Sequence, residues 1–103
     1  MSYIVTKIQT RPSTDVLWYT KAPFHTAEYT DWLDQNWIST GKLTLGFAVS
    51  EDQLTMTVTI TITDQTAWND LVSQQQHIDY QALKEAWNSQ HGITQTISFA
   101  TTL

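Results

Sequence analysis

The sequence predicts an α+β fold, a two-layer sandwich in βαββαβ order whose four strands form one antiparallel sheet. Three observations carry this. Apolar and polar residues alternate through residues 43–49 and again through 54–63, interrupted only by Ser50-Glu51-Asp52-Gln53. Such a period of two marks a hairpin with one buried face. Apolar residues recur at helical spacing on both sides of the hairpin, at Tyr29, Trp32, Leu33 and Trp37 and again at Trp68, Leu71 and Val72. Stretches of strand character, residues 3–9 and 93–100, flank the whole.

The first strand, residues 3–9, stops before Pro12, which has no N–H to donate. Val16-Leu17-Trp18-Tyr19 reads as a short strand or an ordered apolar loop. Residues 26–40 read as a helix with Tyr29, Trp32, Leu33, Trp37 and Thr40 on one side and Glu28, Asp31, Asp34 and Gln35 opposite. Thr26 is its expected N-cap, Glu28 favours the positive end of the dipole, and Gly41 suits the position after the last turn. A two-residue turn at Glu51-Asp52 would set Val49 opposite Leu54, Phe47 opposite Met56, Leu45 opposite Val58 and Leu43 opposite Ile60. Glu-Asp lacks the glycine such a turn prefers, so a longer loop is the alternative.

Beyond the hairpin, Asp64 or Thr66 caps a helix carrying Trp68, Leu71 and Val72. Run straight on, that helix would place Gln75 and Asp79 in its apolar face, which predicts a break near residues 74–77. Asp79 would then cap a second segment, with Ile78 and Leu83 as a hydrophobic staple and Tyr80, Leu83, Ala86 and Trp87 as its buried stripe. Gly92 ends it, and Ile93, Ile97 and Phe99 belong to the last strand.

Length and composition bound the function. The 103 residues form one domain spanning 1–103, and 41% hydrophobic with 15% charged residues excludes disorder. Ten acidic residues against five basic give a net charge of −5, the wrong sign for a nucleic-acid footprint. No apolar run approaches the roughly 20 residues of a membrane span, and residues 1–5 carry neither the basic nor the apolar region of a signal peptide. With no cysteine, thiolate nucleophiles, disulfides and cysteine-based zinc sites are excluded, and a cytoplasmic setting fits. Glycines only at 41, 46 and 92 leave no phosphate-cradling loop. No cofactor is expected.

Right-handed crossovers bring the two halves into the ferredoxin-like arrangement, with the aliphatic face of the hairpin beneath the helices. The opposite face carries Thr44, Thr55, Thr57, Thr59, Thr61, Thr94, Thr96 and Ser98 with Gly46 and Ala48. That field serves as a solvated sheet face, as a packing face between two subunits, or as a flat ice-matching array, the last opposed by sheet twist. The βαββαβ order, the broken second helical region and His91-Gly92-Ile93 leading into the last strand resemble the dimeric α+β barrel superfamily, which includes cofactor-free monooxygenases and lactone isomerases. They also resemble small dimeric ferredoxin-like proteins from marine environmental sequences. The resemblance covers nearly the whole chain as architecture, without a catalytic motif, so no activity transfers with it. It implies a homodimer and a cavity between sheet and helices or near the dimer seam.

His25, His77, Tyr80 and His91 are the candidate acid–base groups. No two histidines have the i, i+4 spacing of a helical metal site, so no metal is expected. Trp18, Tyr19, Trp37 and Trp87 are candidate ligand-binding aromatics, with core packing as the competing role. Trp18-Tyr19 stands off the regular pattern and precedes Lys21 and Phe24, which marks it as an interface or pocket-lid candidate. Two functions follow. One is binding of a small apolar or aromatic molecule in the cavity of a homodimeric barrel. The other is a non-enzymatic structural or interaction protein that docks a partner on its sheet face or on Trp18-Tyr19. Convergent polar residues around a cavity favour the first, an exposed apolar patch the second.

Overall fold

The strands pair as the βαββαβ order requires. In the computed structural model, which describes residues 2–22, 25 and 27–101, β1 (Tyr3–Thr10) runs antiparallel between β3 (Thr55–Ile62) and β4 (Thr94–Thr101). The outer partner of β3 is β2 (Leu43–Val49), so the sheet order is β2-β3-β1-β4, the ferredoxin-like order. One face carries the helical layer: α1 (Ala27–Leu33) running into a π-helical turn (Asp34–Ile38), α2 (Gln65–Val72) and α3 (Gln75–His91). Val5, Leu43, Val58, Ile60 and Ile62 from the sheet meet Leu33, Trp37, Trp68 and Leu71 from the helices in the core. The expected Thr26 cap, together with Phe24, lies outside the described residues.

The hairpin turns the expected face toward the helices in a different register, but only Leu43 of β2 is fully buried. Leu45 is half-buried, and Phe47 and Val49 lie beyond the helical cover and stay exposed. Leu43 faces Ile62, Leu45 faces Ile60, Phe47 faces Val58 and Val49 faces Met56, two residues further along than a two-residue turn would set them. A shift of two preserves the face, because side chains alternate with that period. The reason lies in the turn. The Ser50 N–H donates to the Thr55 carbonyl at 2.9 Å, the Gln53 N–H donates to the Ser50 carbonyl at 2.9 Å, and the Asp52 carboxylate accepts from the Leu54 N–H at 3.0 Å. Gln53 takes the left-handed conformation, φ 61°, that closes this longer loop.

Asp64 caps α2, accepting from the Ala67 N–H at 2.8 Å, and the helical break falls at Ser73-Gln74. Asp79 does not cap α3. The helix starts at Gln75, and Asp79 lies inside it, accepting from Gln75 Nε2 at 2.7 Å. The inward stripe is also corrected: His77, Tyr80, Lys84 and Asn88 are buried, Trp87 is half-buried, and Ile78, Leu83 and Ala86 face solvent. The sheet beneath explains this turn of the helix. Toward the helices β1 and its extension present Tyr3, Val5, Lys7, Gln9 and Arg11, so polar groups on the strand meet polar groups on α3. Gly92, at φ 72°, supplies the left-handed residue that ends α3.

Residues 16–18 form an ordered loop rather than a strand, followed by a 3₁₀ turn at Tyr19–Lys21. The Arg11 guanidinium holds the loop in place. It donates from Nε to the Gln53 carbonyl and from a terminal nitrogen to the Val16 carbonyl, both at 2.8 Å, and lies 4.6 Å from the centre of the Trp18 ring. On the uncovered face of the sheet, Ile4, Thr6, Ile8 and Thr10 of β1 join the threonines of the other strands. Facing the helices but beyond their cover, Ile97 and Phe99 of β4 stay half exposed.

Candidate functional site

Between β2, β3, β1 and the helices lies a cavity of about 70 Å³. Its walls are mostly aliphatic, from Leu33, Leu43, Val58, Ile60 and Leu71. Its polar groups come from Lys7 on β1, His77, Gln81 and Lys84 on α3, Tyr19 from the 3₁₀ turn and Tyr29 on α1. The mouth lies where the lining meets solvent, at half-buried Gln81 and Leu45 and at Phe47, whose ring is 55% exposed. On the outer side of Tyr29 a wider groove of about 390 Å³ runs between α1 and α3, past Trp32, Asp79, Tyr80 and Leu83.

Two lysines define the chemistry of the cavity. Lys84 is 2% exposed and Lys7 6%, and both line the same cavity. Burial is the main cause that lowers both pKa values, and the Lys7 charge adds to it at Lys84, which falls to about 7. The acidic group acting on both is Glu85, exposed and the weakest of the influences on each. The Lys84 amine also lies 4.7 Å from the centre of the Tyr19 ring.

Around the amines stands a cluster of aromatic and imidazole groups. Tyr29 Oη and His77 Nδ1 are hydrogen-bonded at 3.0 Å, and Tyr80 Oη is hydrogen-bonded to His25 Nδ1. The Tyr29 and Tyr80 rings stack with centroids 4.0 Å apart. Burial, then the charges of Lys7 and Lys84, push His77 down to about 4, so its imidazole is neutral across the physiological range. Burial, then the Lys21 charge, lowers His25 as well. The hydroxyls shift the other way: burial pushes Tyr19 up to about 12 and also raises Tyr29 and Tyr80. At neutral pH the cavity therefore offers two buried lysine amines, Lys84 titrating near about 7, with a neutral imidazole and two phenolic O–H groups. That set can hold an anion, add to an electrophile and supply protons.

Of the four acid–base candidates, the fold brings His25, His77 and Tyr80 into this cluster, with His77 lining the cavity itself. His91 lies apart, its ring against Trp87 with centroids 4.0 Å apart. Of the aromatic candidates only Tyr19 lines the cavity. Trp18 is held under Arg11, Trp37 is buried in the core, and Trp87 Nε1 donates to the Leu17 carbonyl at 3.0 Å. Trp18 and Tyr19 are each 8% exposed, so neither ring is presented to a docking partner. The loop that departs from the periodic pattern is pinned inward by Arg11.

The lysines were missed by sequence reasoning because charge is read as exposure. A signal was present. Lys7 alternates in phase with Tyr3 and Val5, and Lys84 lies four residues after Tyr80 and three before Trp87. Among the described residues no cluster of three or more histidine or acidic side chains could hold a metal, and no helix is long and apolar enough to cross a membrane. Comparison with protein-family models, curated proteins and solved structures finds no match for this chain.

Proposed function

We propose that this protein binds a small carboxylate with an apolar body in the cavity between its sheet and helices. The carrying observation is the Lys7–Lys84 pair, two buried amines that line one largely aliphatic pocket. A buried ammonium without a counter-charge is costly. A ligand carboxylate at Lys7 supplies that charge, and Tyr19 and Tyr29 line the same cavity as further polar groups. The aliphatic wall takes the rest of the molecule. A cavity of about 70 Å³ has room for roughly five water molecules, which matches a carboxylic acid of about three or four carbons and leaves a fused aromatic too large.

Propionate titrated into ¹⁵N,¹³C-labelled protein should shift the signals of Leu43, Ile60 and His77 saturably. The Lys7→Met/Lys84→Met double variant should lose that response while keeping a dispersed spectrum. Shifts confined to surface residues, or unchanged in the double variant, would remove the proposal.

We further propose that a second copy packs on the uncovered sheet face, where Ile4 and Ile8 stand among the threonines, as the resemblance to dimeric α+β barrels suggests. Small side chains such as Gly46, Ala48 and Ala100 allow close approach of two such faces. In this reading the protein is a cytoplasmic homodimer, and native mass spectrometry should find it at micromolar concentration. Thr59→Arg, at the centre of that face opposite Thr6 and Gly46, should yield a folded monomer. A wild-type protein that is monomeric throughout would remove the barrel and leave the cavity untouched.

A further inference from the structure

We infer that Lys84 is an amine nucleophile that forms an imine with the carbonyl carbon of a small 2-oxo acid, while Lys7 holds the acid's carboxylate. The inference rests on the carboxylate-binding reading above and adds a reacting group to it. Neighbouring amines match neighbouring functions: in a 2-oxo acid the carboxylate and the carbonyl sit on adjacent carbons, and Lys7 and Lys84 stand side by side at the cavity wall. Depth divides their roles: Lys84, the more deeply buried of the two, takes the lone pair, and Lys7 the charge. A lysine in an aliphatic pocket beside a second cation is the setting in which an amine is activated toward carbonyls. The fall of Lys84 to about 7 agrees with that setting.

The step balances within the pair. The Lys84 lone pair adds to the carbonyl carbon, a C–N bond forms, and the π electrons pass to oxygen, which takes a proton from the Lys7 ammonium. The nitrogen returns one proton to Lys7. The hydroxyl then takes that proton and leaves as water while the C=N⁺ bond forms. Lys7 ends neutral and the charge resides on the iminium, beside the same carboxylate. No oxidant or reductant is consumed. The His77 imidazole on α3 and the Tyr29 hydroxyl on α1, hydrogen-bonded to each other, line the same cavity as Lys84.

Cavity size favours the smallest members of the class, so pyruvate is the probe. Wild-type protein incubated with pyruvate and cyanoborohydride should gain one reductively attached pyruvate, and peptide mapping should place it on Lys84. Labelling there should be roughly tenfold or more faster than at the exposed Lys21 and Lys42, because only a free amine adds to a carbonyl. Lys84→Met, close in volume and without an amine, cannot form the imine, so it should lose the adduct at that position. Lys7→Met should slow labelling by removing both the carboxylate partner and the proton source. Propionate, which has no carbonyl, should protect Lys84 in proportion to its occupancy. If propionate shifts the cavity signals but Lys84 takes up no pyruvate, the imine is overturned and the carboxylate site stands. If neither occurs, both fall. Adducts spread over the surface lysines at equal rates would likewise overturn the nucleophile.

Discussion

Arg11 and Lys7 point from the central strand β1 and its extension toward the same helical layer, four residues apart, and the fold treats them in opposite ways. At the Arg11 end every demand of the buried charge is met: two backbone carbonyls accept from the guanidinium and the Trp18 ring covers it. Arg11 thereby ties the β2–β3 turn and the loop after β1 to the sheet. At the Lys7 end the nearest charge-bearing partner is another lysine, and the walls are aliphatic. The same burial that makes one cation a structural clamp makes the other a reactive group. The difference lies in whether acceptors were built around it.

The comparison breaks most visibly at Arg11. Arg11→Met leaves the Val16 and Gln53 carbonyls without their donor and should cost roughly 2–4 kcal/mol in urea unfolding at pH 7. Lys84→Met should move in the opposite direction. It exchanges a desolvated amine for an aliphatic chain of similar volume and should stabilise the fold by roughly 1–3 kcal/mol in the same assay. A destabilisation as large as that of Arg11→Met would show that Lys84 is a structural group.

Acidity sharpens the contrast. An unfolded lysine titrates near 10.4, and folded Lys84 near about 7. Between those values the unfolded chain holds more protons, so wild-type stability should climb from pH 7 toward pH 10, and the slope should shrink in Lys84→Met to the part that buried Lys7 contributes. Below pH 7 the cost of the buried ammonium is fully present. Above pH 10 the trend reverses, since folded Tyr19, near about 12, keeps its proton after the unfolded one has lost it. The groups facing Lys84 in this window are Lys7, His77 and Tyr19. The smallest expected effect belongs to His77, which must remain neutral beside the two lysines. As pH falls from 6.5 toward about 4 the unfolded histidine takes a proton that folded His77 refuses, so stability should drop, a loss that His77→Gln should remove.

The hairpin was legible because Leu43, Leu45, Met56, Val58, Ile60 and Ile62 repeat with a period that only one buried face can satisfy. Its register was not, because a turn closed by Ser50, Asp52 and a left-handed Gln53 leaves no glycine to reveal its length. The break before α3 showed in the polarity of residues 74–76. Its cap did not, since Asp79 looks the same to local rules whether it begins a helix or sits in its second turn. His25, His77 and Tyr80 were visible as types of side chain. Their convergence depends on contacts 48 and 55 residues apart in the chain, which no local spacing encodes.

Periodicity and β-branching alone determined the order of elements, the face each strand buries and the threonine field on the other side, because these follow from the geometry of a single helix or strand. The identity of the reactive groups was decided by tertiary structure. Lys7 and Lys84 become a buried pair only when α3 is laid across β1 with that rotation, since desolvation is a property of everything that surrounds an amine and not of its neighbours in the chain.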